Sequence, residues 1–227
     1  MAGHPHISVS EAVETRGSVR AFLDRLVPRD MVEDIVRQAA RAPSGGNLQS
    51  WVARIVDGEE IAALKRLMRR AVLEMPEGEP GAPEFYPHAM KPAYLARRHR
   101  NAEILYGALG ISRDDTMARK AWTDQNFQFF GAPTGVMLFM ERQSTPYQWI
   151  DMGIYLQTVL LLLREAGFDS CPQADWALYE RTVKQALAAP PDLTLVCGIS
   201  IGHADPEHPE NFVRTERDDP LTSYSIR

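Results

Sequence analysis

Apolar positions recur along the chain with two different periods, and the places where the period changes divide it into elements. In RDMVEDIVRQAAR, residues 29–41, Met31, Val32, Ile35, Val36 and Ala39 fall at helical spacing, and Ala42-Pro43 ends the pattern. Trp51–Val56 (WVARIV) reads as a strand, followed by Asp57-Gly58 as a turn and a basic amphipathic helix over 59–74. Residues 75–92 hold five prolines and two glycines, so they cannot sustain a regular element and are expected to form an excursion loop near a site. Helical patterns resume over 93–109 and 114–126, and Gly135–Met140 is expected as a second strand. WIDMGIYLQTVLLLLREA, residues 149–166, is apolar on nearly every face, so it has to be covered all round, at the centre of the domain or between two subunits. LTLVCGISI, residues 193–201, alternates around Gly198 and reads as a central strand. Beyond Gly202 the chain is rich in proline and charge and has no core pattern; such a tail is either disordered or laid against another surface. There is no internal repeat and no low-complexity tract.

Composition narrows the function classes. With 227 residues the chain fits a single domain around one continuous core. A net charge of −5, with basic residues scattered among acids, offers no field for nucleic acid. Cys171 and Cys197 lack CxxC spacing and MAGHPHISVSEAV lacks the apolar run of a signal peptide, so a reducing, cytoplasmic setting is expected. The longest apolar runs, such as Val159–Leu163, fall far short of the roughly 20 residues of a membrane span, and no membrane partner is expected.

Several clusters carry candidate chemistry. If Arg16-Gly17-Ser18-Val19-Arg20 is extended, positions 16, 18 and 20 share one face, and two guanidiniums with a hydroxyl make a phosphate clamp; the other reading is a solvated cap before Phe22. Arg214 and Arg217 form a second basic pair among Glu216, Asp218 and Asp219, where each could equally serve a surface ion pair. APSGGNLQSW, residues 42–51, sets two glycines before Asn47 and Gln49, two amides able to donate and accept hydrogen bonds; alone it could be a helix stop with a loop after it. In SCPQADW, residues 170–176, Cys171 has no neighbour that would lower its pKa and is read as inert, while the segment could present backbone N–H groups to a planar ligand. His203 and His208 with Asp205 and Glu207 suggest a metal, but Pro206 and Pro209 prevent a shared helical face and no further cluster completes a site, so none is expected. GxSxG and GxGxxG are absent, which speaks against a serine hydrolase and a Rossmann cofactor domain.

Taken in order, Arg-x-Ser-x-Arg-x-Phe, RAPSGGNLQSW, FFGAP, WIDMGIYLQTVLLLLREAGFDSCPQ and CGISIGHADPEHPENFVRTER resemble the FMN-dependent nitroreductase family over residues 16–217. The resemblance implies an α+β fold: a three-layer sandwich with a central mixed or antiparallel sheet flanked by helices, in an intertwined homodimer with two FMN sites at the interface. It implies one domain over 1–227, with 1–12 an N-terminal extension, the 149–166 helix at the dimer core, and 203–227 an arm that embraces the partner. Arg16, Gly17, Ser18 and Arg20 would hold the ribityl phosphate and the pyrimidine side of the flavin, with Arg214 and Arg217 closing on the phosphate. Pro43, Ser44, Asn47 and Gln49 would come from the opposite subunit, Gly45 and Gly46 letting the main chain approach a flat ring. Cys171, Pro172, Gln173 and Ala174 would supply the backbone face near N5, and Arg97, Arg98 and Asn101 are candidates for the pyrimidine edge. After Arg217 the chain reads Asp-Asp-Pro-Leu where the family commonly has one residue before Pro-Leu, which shifts the register of the last arginine.

The implied activity is hydride transfer from NAD(P)H through flavin N5 to a nitroaromatic or quinone, each taking the same place in turn, with Arg20 facing the charge that develops on reduction. The alternatives are a same-fold enzyme with a specialised substrate (dehalogenation, activated-alkene reduction or flavin fragmentation), a non-catalytic flavin-binding protein, or an interaction protein with no cofactor.

Overall fold

The computed structural model describes residues 7–221. Four strands, β1 (Trp51–Val56), β2 (Thr134–Glu141), β3 (Asp169–Gln173) and β4 (Leu193–Gly202), form one sheet in the order β1-β2-β4-β3. All three pairings are antiparallel; the parallel component of the expected mixed sheet is a single bridge between Ser18 and Ser170. The helices are α1 (Val9–Thr15), α2 (Arg29–Ala39), α3 (Gly58–Glu74), α4 (Pro92–Ala108), α5 (Thr116–Thr123), α6 (Pro146–Glu165) and α7 (Glu180–Ala186).

Strand alternation on β2 divides the core in two and so produces the three layers. Val136, Leu138 and Met140 pack with Val32, Ile35 and Ala39 of α2 and with Met152, Tyr155, Val159 and Leu163 of α6. Met137 and Phe139 pack instead with Ile61, Leu64 and Met68 of α3, Val183 of α7, and Trp176 and Tyr179. β4 does not keep a simple alternation. Leu193 and Leu195 belong to the second layer while Cys197, Ile199 and Ile201 belong to the first, although all five are odd-numbered. A register shift opposite Leu138/Phe139, where Leu195 and Cys197 pair with neighbouring residues, leaves Val196 extra and turns the strand over.

Sequence boundaries held where the local chemistry was strong and moved where caps decided. α6 starts at Pro146 rather than 149, because Thr145 and Gln148 form a capping box and Pro146 occupies the first turn. α1 covers part of the stretch expected as an extension; Ser8 caps it by accepting from the Glu11 N–H at 3.1 Å, and Arg164 Nε donates to Thr15 Oγ1 at 3.1 Å. The 114–126 pattern holds as a helix over Thr116–Thr123 and then tightens into 3₁₀ turns through Gly131, where Phe129 and Phe130 both adopt φ 51°.

Within one chain α6 is covered on one side only: Met152, Tyr155, Val159 and Leu163 are buried, while Trp149, Ile150 and Ile154 are 47%, 59% and 38% exposed. The segment after Gly202 has no core of its own but, as far as Asn211, is laid against the chain's own residues 20–23. Positions 1–6 and 222–227, the ends of the expected extension and arm, lie outside the described residues.

Candidate active site

The first wall of the site is the N-terminal segment running along the free side of β3. The Val19 N–H donates to the Ser170 carbonyl at 3.1 Å, which fixes the segment in an extended conformation. Val19 is then buried, and Arg16, Ser18 and Arg20 are half-buried, the alternation that a phosphate clamp needs. Arg20 Nη1 donates to the Ser18 carbonyl at 3.3 Å, and its guanidinium carbon lies 5.8 Å from the ring centroid of Trp122.

The second wall is the end of β3. A cavity of about 750 Å³ opens between Arg20, Trp122 and Tyr106 on one side and the run Cys171–Asp175 on the other. The Gln173 side chain is unavailable to a ligand, since Oε1 accepts from Ser200 Oγ at 2.6 Å and Nε2 donates to the Asn126 carbonyl at 2.7 Å. What the end of β3 and the turn after it can offer the cavity is therefore main chain and the small Ala174. Burial pushes the Cys171 thiol up to about 11 against the opposing pull of Arg20, so it is no nucleophile. Burial also raises Asp175 above the usual carboxylate range, with Arg20 pulling it down.

The C-terminal arginines separate. Arg214 meets the N-terminal cluster, donating from Nη1 to the Arg16 carbonyl at 3.5 Å and from Nη2 to the Thr15 carbonyl at 3.4 Å, with Nη1 close to Gly17. Arg217 instead lines a second groove of about 790 Å³ with Arg97, Arg98 and Asn101, its guanidinium donating to Thr215 Oγ1 and the Glu216 carbonyl. Of the pyrimidine-edge candidates, Arg98 and Asn101 line both cavities, Arg98 stacked 4.1 Å above Tyr86, while Arg97 faces the second groove and pairs with Asp218.

Pro43, Ser44, Asn47 and Gln49 do not line the Arg20 cavity in the single chain. Their loop is tied to α6 by the Gly45 N–H, which donates to Asp151 Oδ2, and to itself by Gln49 N–H donating to Ser44 Oγ at 3.1 Å. Gly46, Asn47 and Gln49 have φ between 51° and 59°, with Leu48 between them at φ −69°, and the left-handed conformation costs energy at the two amides. His203 packs against the ring of Phe168 with centroids 5.5 Å apart, and among the described residues no three His, Cys, Asp or Glu side chains are grouped to hold a metal.

The family model described as the Nitroreductase family matches residues 13–203. The chain belongs to the nitroreductase family. It is 37% identical over 214 residues to a "4-nitrobenzoate reductase" of Nocardioides sp. (strain LMS-CY), covering 90% of this chain and 84% of the relative. Among solved structures, the "FMN and NADPH-dependent nitroreductase NfnB" from sphigopyxis sp. strain HMH superposes with a TM-score of 0.92 at 41% identity, covering 97% and 99% of the two chains. The "FMN-dependent nitroreductase NfnB" from Mycobacterium smegmatis, solved in complex with NADPH, superposes with a TM-score of 0.86 at 30% identity, covering 97% and 100%.

Within this nitroreductase fold, Trp122, Tyr106, Arg119 and Asp175 line the cavity without having been singled out by the sequence. α5 and the end of α4 look like ordinary amphipathic surface in one dimension. The one available signal was the aromatic content of a stretch next to a proline-rich excursion.

Proposed function

We propose that this nitroreductase is an FMN-dependent oxidoreductase that moves hydride from NAD(P)H to nitroaromatic or quinone-type acceptors. The observation that carries this reading is that Arg20 and the β3 end line one cavity, while the segment leading up to Arg20 carries Arg16 and Ser18, with Arg214 donating to the Arg16 carbonyl. That donor set fits FMN. Three guanidiniums and a hydroxyl suit a phosphate, and a cavity of about 750 Å³ walled by aromatic rings and main chain suits a flat heterocycle. The 4-nitrobenzoate reductase of Nocardioides and the FMN and NADPH-dependent enzyme of sphigopyxis support the acceptor class, FMN and NADPH.

When bound, FMN would supply the hydride-transfer chemistry that links a reduced nicotinamide to an acceptor. The chain's own residues do the rest. Arg20 presents fixed positive charge, which stabilises negative charge developing beside it without reorganisation. The locked Gln173 side chain holds the β3 end in place, and Trp122 and Tyr106 line the cavity beside Arg20. We assign the Pro43–Gln49 loop to the site of a partner subunit in a homodimer built on α6. The uncovered Trp149, Ile150 and Ile154 support such an interface. Both cysteines are free and buried, which suits a reducing compartment such as the cytoplasm.

The visible spectrum of the purified protein, before and after anaerobic NADPH, tests the reading. A yellow preparation that bleaches is expected; a colourless one, or yellow that persists with both NADPH and NADH, would overturn it.

A further inference from the structure

The segment after β4 returns to the site from behind. Ala204 bridges Phe22, the Leu23 N–H donates to the His203 carbonyl at 2.9 Å, and the Asp205 N–H donates to the Ala21 carbonyl at 2.9 Å. Asn211 completes the attachment. Its Oδ1 accepts from the Arg20 N–H at 3.1 Å, and its Nδ2 donates to the Ala21 carbonyl at 2.8 Å and the Asp205 carbonyl at 2.9 Å.

Next to it, Glu210 is 3% exposed. Its Oε2 accepts from the Trp122 indole N–H at 3.0 Å, while its Oε1 is buried with no hydrogen-bond partner among the described residues. A buried, half-satisfied carboxylate is costly, and the one hydrogen bond this side chain makes is to the Trp122 indole. Burial raises the Glu210 pKa; the Trp122 hydrogen bond and the positive charges of Arg20 and His208 pull it down. Trp122 in turn is the ring over which the Arg20 guanidinium lies. Arg20 is thus held at both ends, its main chain by Asn211 and its guanidinium by the ring that Glu210 fixes. Neither Asn211 nor Glu210 lines the large cavity.

We infer that residues 203–211 are a brace for Arg20, with Asn211 and Glu210 as positioning residues that act on the cofactor only through Arg20 and Trp122. The inference rests on the reading of Arg20 as a group that holds FMN.

The test is equilibrium dialysis of the holoenzyme against graded FMN concentrations, so that weak binding stays measurable, with thermal unfolding as the control for folding. Asn211→Ala and Glu210→Leu should each weaken FMN retention about tenfold, about 1.4 kcal/mol, in proteins that remain folded. In an Arg20→Ala background the same substitutions should add little, because a positioning residue has nothing left to position. Glu210→Gln, which keeps an oxygen for the indole, should restore most of the retention. Should Asn211→Ala fail to fold, Glu210→Leu alone and in the Arg20→Ala background carries the comparison. Losses that add fully to that of Arg20→Ala, or unchanged retention in folded variants, would overturn the brace. Unchanged retention in Arg20→Ala alone would instead remove the reading of Arg20 beneath it.

Discussion

The backbone N–H of Gly45 donates to Oδ2 of Asp151 at 3.1 Å, and this contact ties the left-handed Pro43–Gln49 loop to α6. Asp151 is 7% exposed but Gly45 is exposed, so removing the carboxylate loses one hydrogen bond and leaves a donor that water can reach. Asp151→Ala should lower stability by about 0.5–1.5 kcal/mol. Urea unfolding followed by circular dichroism measures this, and an unchanged midpoint would mean that the loop is held by other contacts.

The uncovered side of α6 predicts assembly. Ile150→Glu or Ile154→Glu places a charge where a partner helix would pack, so sedimentation velocity should show monomers, with FMN lost in parallel. A dimer that persists and stays yellow would move the interface elsewhere.

Burial pushes the Cys171 thiol up to about 11 and the Cys197 thiol up to about 12. Near neutral pH both are protonated and shielded. Titration with a disulfide reagent should detect neither thiol in the native protein and both after denaturation. Rapid labelling of the native form would contradict the inert assignment.

Asp175 has a folded pKa raised above 3.8 by burial, with Arg20 opposing. The folded state then binds the proton more tightly than the unfolded one, so this group removes stability as pH rises from about 3.8 through the folded value. Asp175→Asn lacks that loss. Its stability relative to the native protein should therefore increase across this window and level off above it; a difference independent of pH would mean that Asp175 is solvated.

A Cβ built on Gly198 would lie 2.5 Å from Trp176 Cδ1, and Trp176 is fully buried. Gly198→Ala should cost about 1–3 kcal/mol through overpacking. Gly107, in α4, has nothing within 4 Å of its Cβ position, so Gly107→Ala should instead stabilise the helix by about 0.5–1 kcal/mol. Thermal melts of the two variants should move in opposite directions.

Much of the fold was readable because its signals are local. Helix α2, strands β1 and β2 and the start of β4 follow from spacing that any window of ten residues contains. The starts of α1 and α6 were also written locally, in Ser8 with Glu11 and in Thr145-Pro146 with Gln148, but as cap chemistry and not as periodicity. The change of face along β4 was not readable, because Val196 is set aside by the register of the neighbouring β2 and not by anything in LTLVCGISI. For the site, Arg16, Ser18 and Arg20 could be named but not paired, and Trp122, Tyr106 and Asp175 carried no pattern that marked them.

The sequence by itself determined which segments become helix or strand and which residues could bind a phosphate. Side-chain period and turn chemistry act over a few residues, so each can be read in place; the inertness of Cys171 was decided by its burial, against the pull of the Arg20 that the fold brings near it. Only the tertiary structure decided that Asn211 holds Arg20 across 191 positions and that Arg214, rather than Arg217, reaches Arg16 across 198. Such partners are chosen when antiparallel strands settle into register and the segment after β4 packs back on residues 20–23, and that choice depends on the whole core closing at once.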